Sequence, residues 1–231
     1  MMTLESIKKF IIKNKYINRY VNDPRWRVRI ALFGAVSINI IYVLIQLASG
    51  MVYKAAWFYA LAVYYFLLIM IRIFLIRNTS SGEVGKDRLK EFKRYRFCGI
   101  LLLAMNQALA VIVFYIVRRG ELIKQSYIPV IAMAAYTFTA MTVAMINVVR
   151  YRRFDSPIIS AAKAISMSSA VVSLLSLEAA MVASFGEDTT VVFRQTITVS
   201  TGVAVYIFVL AVAVYMIVRA SKEINKIEKN D

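Results

Sequence analysis

The chain has 231 residues, 60% of them apolar and only 18% charged, and its mean hydropathy of +0.64 excludes an ordinary soluble domain. Histidine is absent and Cys98 is the single cysteine, which excludes disulfide frameworks, Cys/His zinc sites, haem attachment and imidazole catalysis. A net charge of +16 would suggest nucleic acid in a soluble protein, but with no soluble surface to carry it no nucleic-acid partner is expected.

Residues 1–27 read as a basic amphipathic segment. Leu4, Ile7, Ile11 and Val21, with Phe10 and Ile17 beside them, fall near one helical face, and Lys8, Lys9, Lys13, Lys15 and Arg19 mostly crowd the other. That division suits a helix lying on the cytoplasmic leaflet. Asp23 and Pro24 end it, and Trp26 is placed for the headgroup level. A cleaved signal is not expected, because the charged segment precedes a full-length span.

Six apolar stretches follow, at 28–49, 55–76, 97–117, 127–149, 158–185 and 196–218. A bilayer core of roughly 30 Å needs about 20 helical residues, so each is long enough to cross. Lipid offers the backbone no hydrogen bonds, and these runs lack the alternation of a barrel strand, so all six are expected to be helices. The fold class is therefore all-α: a polytopic transmembrane bundle of six helices over 28–219, with a short tail at 220–231. Pro24, Pro129 and Pro157 lie before the first span or in the first turns of the fourth and fifth, where a missing N–H costs least.

Lys and Arg set the orientation. One side carries only Lys54, Arg118, Arg119, Lys124 and Arg194; apart from Arg72 and Lys163, all the others lie on the opposite side. This excess predicts that both termini are cytoplasmic and that anionic lipid headgroups are partners. Residues 78–85 read as a turn, with a helix restarting at Lys86 as a cytoplasmic extension of the third span. Asp87 with Lys90, and Glu91 with Arg94, stand at i, i+3 spacing on what is expected to be a solvated face.

Polar residues inside spans are the functional candidates, since lipid makes them costly without partners. Arg72 and Lys163 lie near inner ends and are expected to snorkel to headgroups. Glu178 is about seven residues, roughly 10 Å, inside the outer end of the fifth span, too deep for its short side chain to escape. It needs a partner or a proton, and Gln46, Lys54, Tyr59 and Thr201 lie at similar depth.

In the same span Ala162, Ser166, Ser169, Ser173, Ser176, Ala180 and Ala183 form a seam of small side chains, with Glu178 on the opposite face. Such a seam lets another backbone approach closely and predicts that the fifth helix is central, enclosed by protein all round. Near the midplane, Asn39, Tyr64, Tyr65, Asn106, Gln107, Thr137, Thr139 and Tyr206 act either as hydrogen-bond glue or as the lining of a solute cavity. The expected solute or proton site is Glu178 with Gln46, Asn39, Tyr64, Tyr65, Asn106 and Gln107. No phosphate loop or catalytic pair stands out, so no cofactor, metal site or enzyme activity is expected.

The run GAVSINIIYVLIQLASGMVYKAAWFYALAVYY from Gly34 to Tyr65 resembles the first two spans of cation diffusion facilitators, and AAKAISMSSAVVS from Ala161 to Ser173 resembles their fifth more faintly. In that family, His or Asp four residues apart on the second and fifth spans hold the metal. Here the best-matching positions of the second span are Tyr64 and Leu68, the fifth offers only neutral residues such as Ile165 and Ser169, and the family's cytoplasmic metal-binding domain is not expected in the short stretch after the sixth span. The resemblance therefore implies a related bundle without zinc transport. The whole chain, including YRFCGILLL, PIISAAKA and AVYMIVRA, is similar to uncharacterised bacterial six-span integral membrane proteins, which implies a bacterial cytoplasmic (inner) membrane location and no particular activity.

The leading expectation is a small carrier-like transporter of a proton, cation or small polar solute. The alternative is a non-transporting membrane scaffold or regulatory subunit that docks a partner protein or anionic lipid. A homo-oligomer or a second membrane subunit is compatible with either. A cavity reaching Glu178 and the Asn106 level would mark the carrier, and a solid midplane the scaffold.

Overall fold

The computed structural model describes residues 24–54, 56–80, 87–119, 127–150, 156–185 and 190–229. Among these residues it is all-α, with six helices: α1 Pro24–Tyr53, α2 Ala56–Ser80, α3 Arg88–Arg119, α4 Tyr127–Arg150, α5 Pro157–Phe185 and α6 Val191–Glu228. Among the described residues there is no strand. Five helices, α1, α2, α4, α5 and α6, are long and apolar enough to cross a bilayer. Their outward faces agree with that: Phe33, Ile40, Ile41 and Leu44 on α1, and Ile128, Ile131 and Phe138 on α4, are exposed, a surface that water would penalise and lipid would not.

Local chemistry fixes the helix ends. Pro24 and Pro157 each occupy a first helical position, where no N–H is needed. Asp87 caps α3 by accepting from the Lys90 backbone N–H at 3.1 Å, and Thr190 caps α6 by accepting from Phe193 N–H at 3.3 Å. Between α1 and α2 the chain reverses at Lys54, whose φ of 50° is the left-handed conformation that ends many helices.

Contacts along each helix pair give the direction of packing. Ala35 meets Arg72, Tyr42 meets Tyr65 and Gly50 meets Tyr59, so α1 and α2 are antiparallel. Asn106 meets Tyr206 and Gly99 meets Met216, so α3 and α6 are antiparallel too. A Cβ at Gly99 would come within 3.3 Å of the Ala213 carbonyl oxygen, and a glycine there lets the two helices close up. By contrast α3 and α5 run parallel, with Glu91 beside Ser156 and Tyr95 beside Ser160. One end of the bundle therefore gathers the starts of α1, α3 and α5 with the ends of α2, α4 and α6. Arg77, Arg88, Lys90, Lys93, Arg94, Arg219, Lys222 and Lys226 make that end basic.

α5 is the central helix. It packs against all five others, and 67% of its apolar window is buried against 28% for α1, α4 and α6. The small-residue seam from Ala162 to Ala183 is buried throughout, and Thr137 of α4 donates to the Ser173 carbonyl at 3.1 Å across it.

Four expectations are corrected. Enclosure of α5 is incomplete: Leu174, Met181 and Phe185 are exposed, and half-buried Glu178 falls on that same stripe at helical spacing. Asn78–Ser80, expected in a turn, continue α2, and Pro24–Arg27, expected in the amphipathic segment, open α1. Glu91, expected on a solvated face, is buried and accepts a hydrogen bond from Ser156 Oγ at 3.3 Å, because α5 begins against it. The amphipathic reading of residues 1–23 and the restart at Lys86 lie outside the described residues.

Candidate functional site

The interior holds a polar cluster between α1, α2 and α4. Tyr42, Tyr64, Tyr65 and Tyr136 are buried together. Tyr42 stacks on Tyr136 at 4.0 Å between ring centroids, and Tyr65 meets both edge-on at 4.6 and 5.5 Å. Such stacked and edge-on contacts add roughly 0.5–1.5 kcal/mol per pair beyond area burial and lock the rings. Tyr136 donates its hydroxyl to Oδ1 of Asn39 at 2.7 Å, leaving Nδ2 of Asn39 buried without a partner.

Beside this cluster lies a cavity of about 260 Å³, bordered by α1 from Ala31 to Asn39, α4 from Tyr136 to Asn147, Arg72 of α2 and Ser166 of α5. Small-ligand sites begin at roughly 300 Å³, so the space suits a compact solute or a headgroup. Its lining residues lie toward the basic end of the bundle. It opens sideways between α1 and α4, where Gly34 and Thr139 are exposed, and a Cβ at Gly34 would meet nothing within 4 Å. The small residues Ala31, Gly34, Ala35 and Ala140 leave the space empty.

Arg72, at the wall of this cavity, is the side chain that the sequence assigned to a headgroup and that the fold instead buries. It is 4% exposed. Its Nη1 donates to the Ala35 carbonyl oxygen at 3.0 Å, and its Nε has no partner. Among the described residues no carboxylate pairs with it; its electrostatic neighbours are the phenols of Tyr136, Tyr65 and Tyr64. Snorkelling fails because α1 and α4 flank the guanidinium. Helical spacing carried the missed signal: Arg72 follows Tyr65 and Leu68 on the buried face of α2. Tyr136, the pivot of the cluster, was likewise absent from the expected site, although it lies beside Thr137.

The expected site residues separate into three places. Asn39 lines the cavity, and Tyr64 and Tyr65 lie behind it in the tyrosine cluster. Gln46 is buried on α1, two turns beyond Asn39, with Nε2 unpartnered. Asn106 and Gln107 join α3 to α6: Asn106 donates to the Tyr206 carbonyl at 3.2 Å, and Gln107 donates to the Tyr206 hydroxyl at 3.3 Å. They act there as hydrogen-bond glue.

Glu178 stands apart from both. Its Oε1 accepts a long 3.5 Å hydrogen bond from Thr198 of α6, which was not among its expected partners, and Oε2 is unpartnered. Tyr59, one of the partners considered for it, packs its ring on Gly50 instead. Among the described residues no group of three or more carboxylate or thiol ligands is placed to hold a metal ion.

No protein-family model matches the chain, and neither a curated protein nor a solved structure matches it.

Proposed function

We propose that the chain is a six-span protein of a bacterial cytoplasmic membrane, with both termini inside, and that it is a carrier-like protein for a small polar solute bound in the α1–α4 cavity. The observation that carries this reading is a polar wall, Asn39 and Arg72, buried within helices otherwise suited to lipid and left facing empty space. Polar groups at that depth are costly unless something compensates them, and a solute can. The excess of Lys and Arg at the same end supports a cytoplasmic side for the cavity. α3 supplies the remaining crossing through 97–117.

The geometry favours a small solute over a proton or cation. Glu178, the group suited to those, lies on the exposed stripe of α5, and among the described residues no carboxylate lines the cavity. The resemblance to cation diffusion facilitators supports a carrier-like bundle, and the lack of their ligands supports a cargo other than zinc.

A second reading, a non-transporting subunit that only binds, is favoured by the mark expected of the carrier and not met: the cavity reaches neither Glu178 nor Asn106, and Tyr42, Tyr65 and Tyr136 close it toward the midplane. Uptake into proteoliposomes separates the two. Labelled inorganic phosphate, succinate and glycerol are offered to wild type and to Gly34→Leu, whose new side chain enters the cavity. The carrier reading expects uptake of at least one solute above empty liposomes and its loss in Gly34→Leu. Binding without uptake would favour the subunit.

A further inference from the structure

Arg72 sharpens the choice of solute. A guanidinium keeps its charge under all physiological conditions and presents five N–H donors in a planar fork. Here one donor is held by the Ala35 carbonyl and Nε is buried without a partner, and Asn39, a second polar residue of the lining, has its Nδ2 buried without a partner. Both residues are almost wholly buried, Arg72 at 4% and Asn39 at 1% exposure. The surrounding phenols are neutral dipoles and cannot cancel a full charge.

Among the described residues the lining holds one cationic side chain and no anionic one. A cation entering would meet repulsion in a region of low dielectric, and a neutral solute would leave the charge uncompensated. An oxyanion does neither, and carboxylate and phosphate are the groups whose geometry fits a guanidinium fork. Resting on the reading of the cavity as a solute site, we propose that its ligand carries a carboxylate or phosphate group, bound by the Arg72 guanidinium.

Such a group can reach the cavity as a free small anion or on a lipid. The lateral opening between α1 and α4, with Ile38, Val143 and Ile146 around it, would admit a headgroup whose acyl chains remain in the bilayer. Both sources share the chemistry, and the experiment distinguishes them.

The test uses the full chain in phosphatidylcholine nanodiscs as wild type, Arg72→Met, Arg72→Lys and Gly34→Leu. Inorganic phosphate, succinate and dihexanoyl phosphatidic acid are titrated into each, with calorimetry for affinity and thermal unfolding for integrity. At least one probe is expected to bind wild type and raise its Tm. Arg72→Met is expected to weaken that probe by about thirtyfold or more, as loss of a buried charge partner does, while its unliganded Tm does not fall. Arg72→Lys, which keeps the charge without the fork, is expected to retain part of the affinity. Phosphate or succinate binding identifies a free anion, and binding of the phosphatidic acid alone identifies a headgroup.

The proposal is overturned if no probe binds wild type, or if Arg72→Met binds as wild type does. Gly34→Leu separates this failure from that of the broader reading. If it abolishes glycerol uptake while no anion binds, the cavity is a solute site and only the anion assignment falls; if it leaves all uptake unchanged, the solute site falls as well.

Discussion

The hydroxyl of Tyr136 donates a 2.7 Å hydrogen bond to Oδ1 of Asn39, joining α4 to α1 at the inner limit of the cavity. The two helices make few other contacts, so this bond holds the cavity walls in register. Tyr136→Phe keeps the stack on Tyr42 but leaves a buried amide oxygen unsatisfied. It is expected to destabilise the protein by about 1–3 kcal/mol, measured by thermal unfolding in detergent. A double-mutant cycle with Asn39→Leu is expected to show that most of the loss is shared, because removing both partners leaves no orphaned acceptor.

Arg72→Met tests the stored cost of the cavity. A buried, unpaired cation opposes folding, and methionine fills similar volume without charge. The unliganded variant is expected to be more stable than wild type by about 1–3 kcal/mol, read from denaturant unfolding in micelles. A loss of stability of the same size would mean that the Ala35 hydrogen bond outweighs the charge burial.

Glu178→Gln is expected to change little. The carboxylate touches Thr198 through a long contact and faces away from the cavity, and an amide can accept the same hydrogen bond. Stability within about 0.5 kcal/mol of wild type and unchanged solute uptake are the expected results. A tenfold fall in uptake would return the carboxylate to the mechanism.

Asp87 gives a local pH dependence. Its side-chain and backbone hydrogen bonds with Lys90 hold its carboxyl below the usual carboxylate range. A group whose folded value is depressed contributes stability that is present above its unfolded pKa and lost as pH falls through the folded one. The protection of the Lys90 and Glu91 amides, read as exchange relative to the unstructured chain at the same pH, is therefore expected to hold at neutral pH and to fall only in acid, below the unfolded aspartate pKa of about 3.9. Asp87→Ala should show low protection at both.

The legible part of this fold was what lipid imposes on a chain. Runs of apolar length set the helices, Pro24 and Pro157 marked two starts, and the Ala162–Ala183 seam pointed to a central α5. The site was less legible because burial inside a bundle depends on which helix faces which. Arg72 was judged by its distance from the helix end, yet its face, shared with Tyr65 and Leu68, decided its surroundings. Glu178 was placed on the face opposite the seam, and that face, expected to be enclosed, is the exposed stripe of α5. Asn106 and Gln107 stand at the right level but on the α3–α6 seam, and level alone does not bring residues together.

The most direct measurement is protection of a cysteine placed in the cavity. In a Cys98→Ala background, Asn147→Cys is labelled with a membrane-impermeant maleimide in vesicles of each orientation. Labelling from the cytoplasmic face is predicted, slowed by the anion that binds in nanodiscs, with the protection lost on adding Arg72→Met. Labelling only from the opposite face, or protection that persists without Arg72, would contradict it.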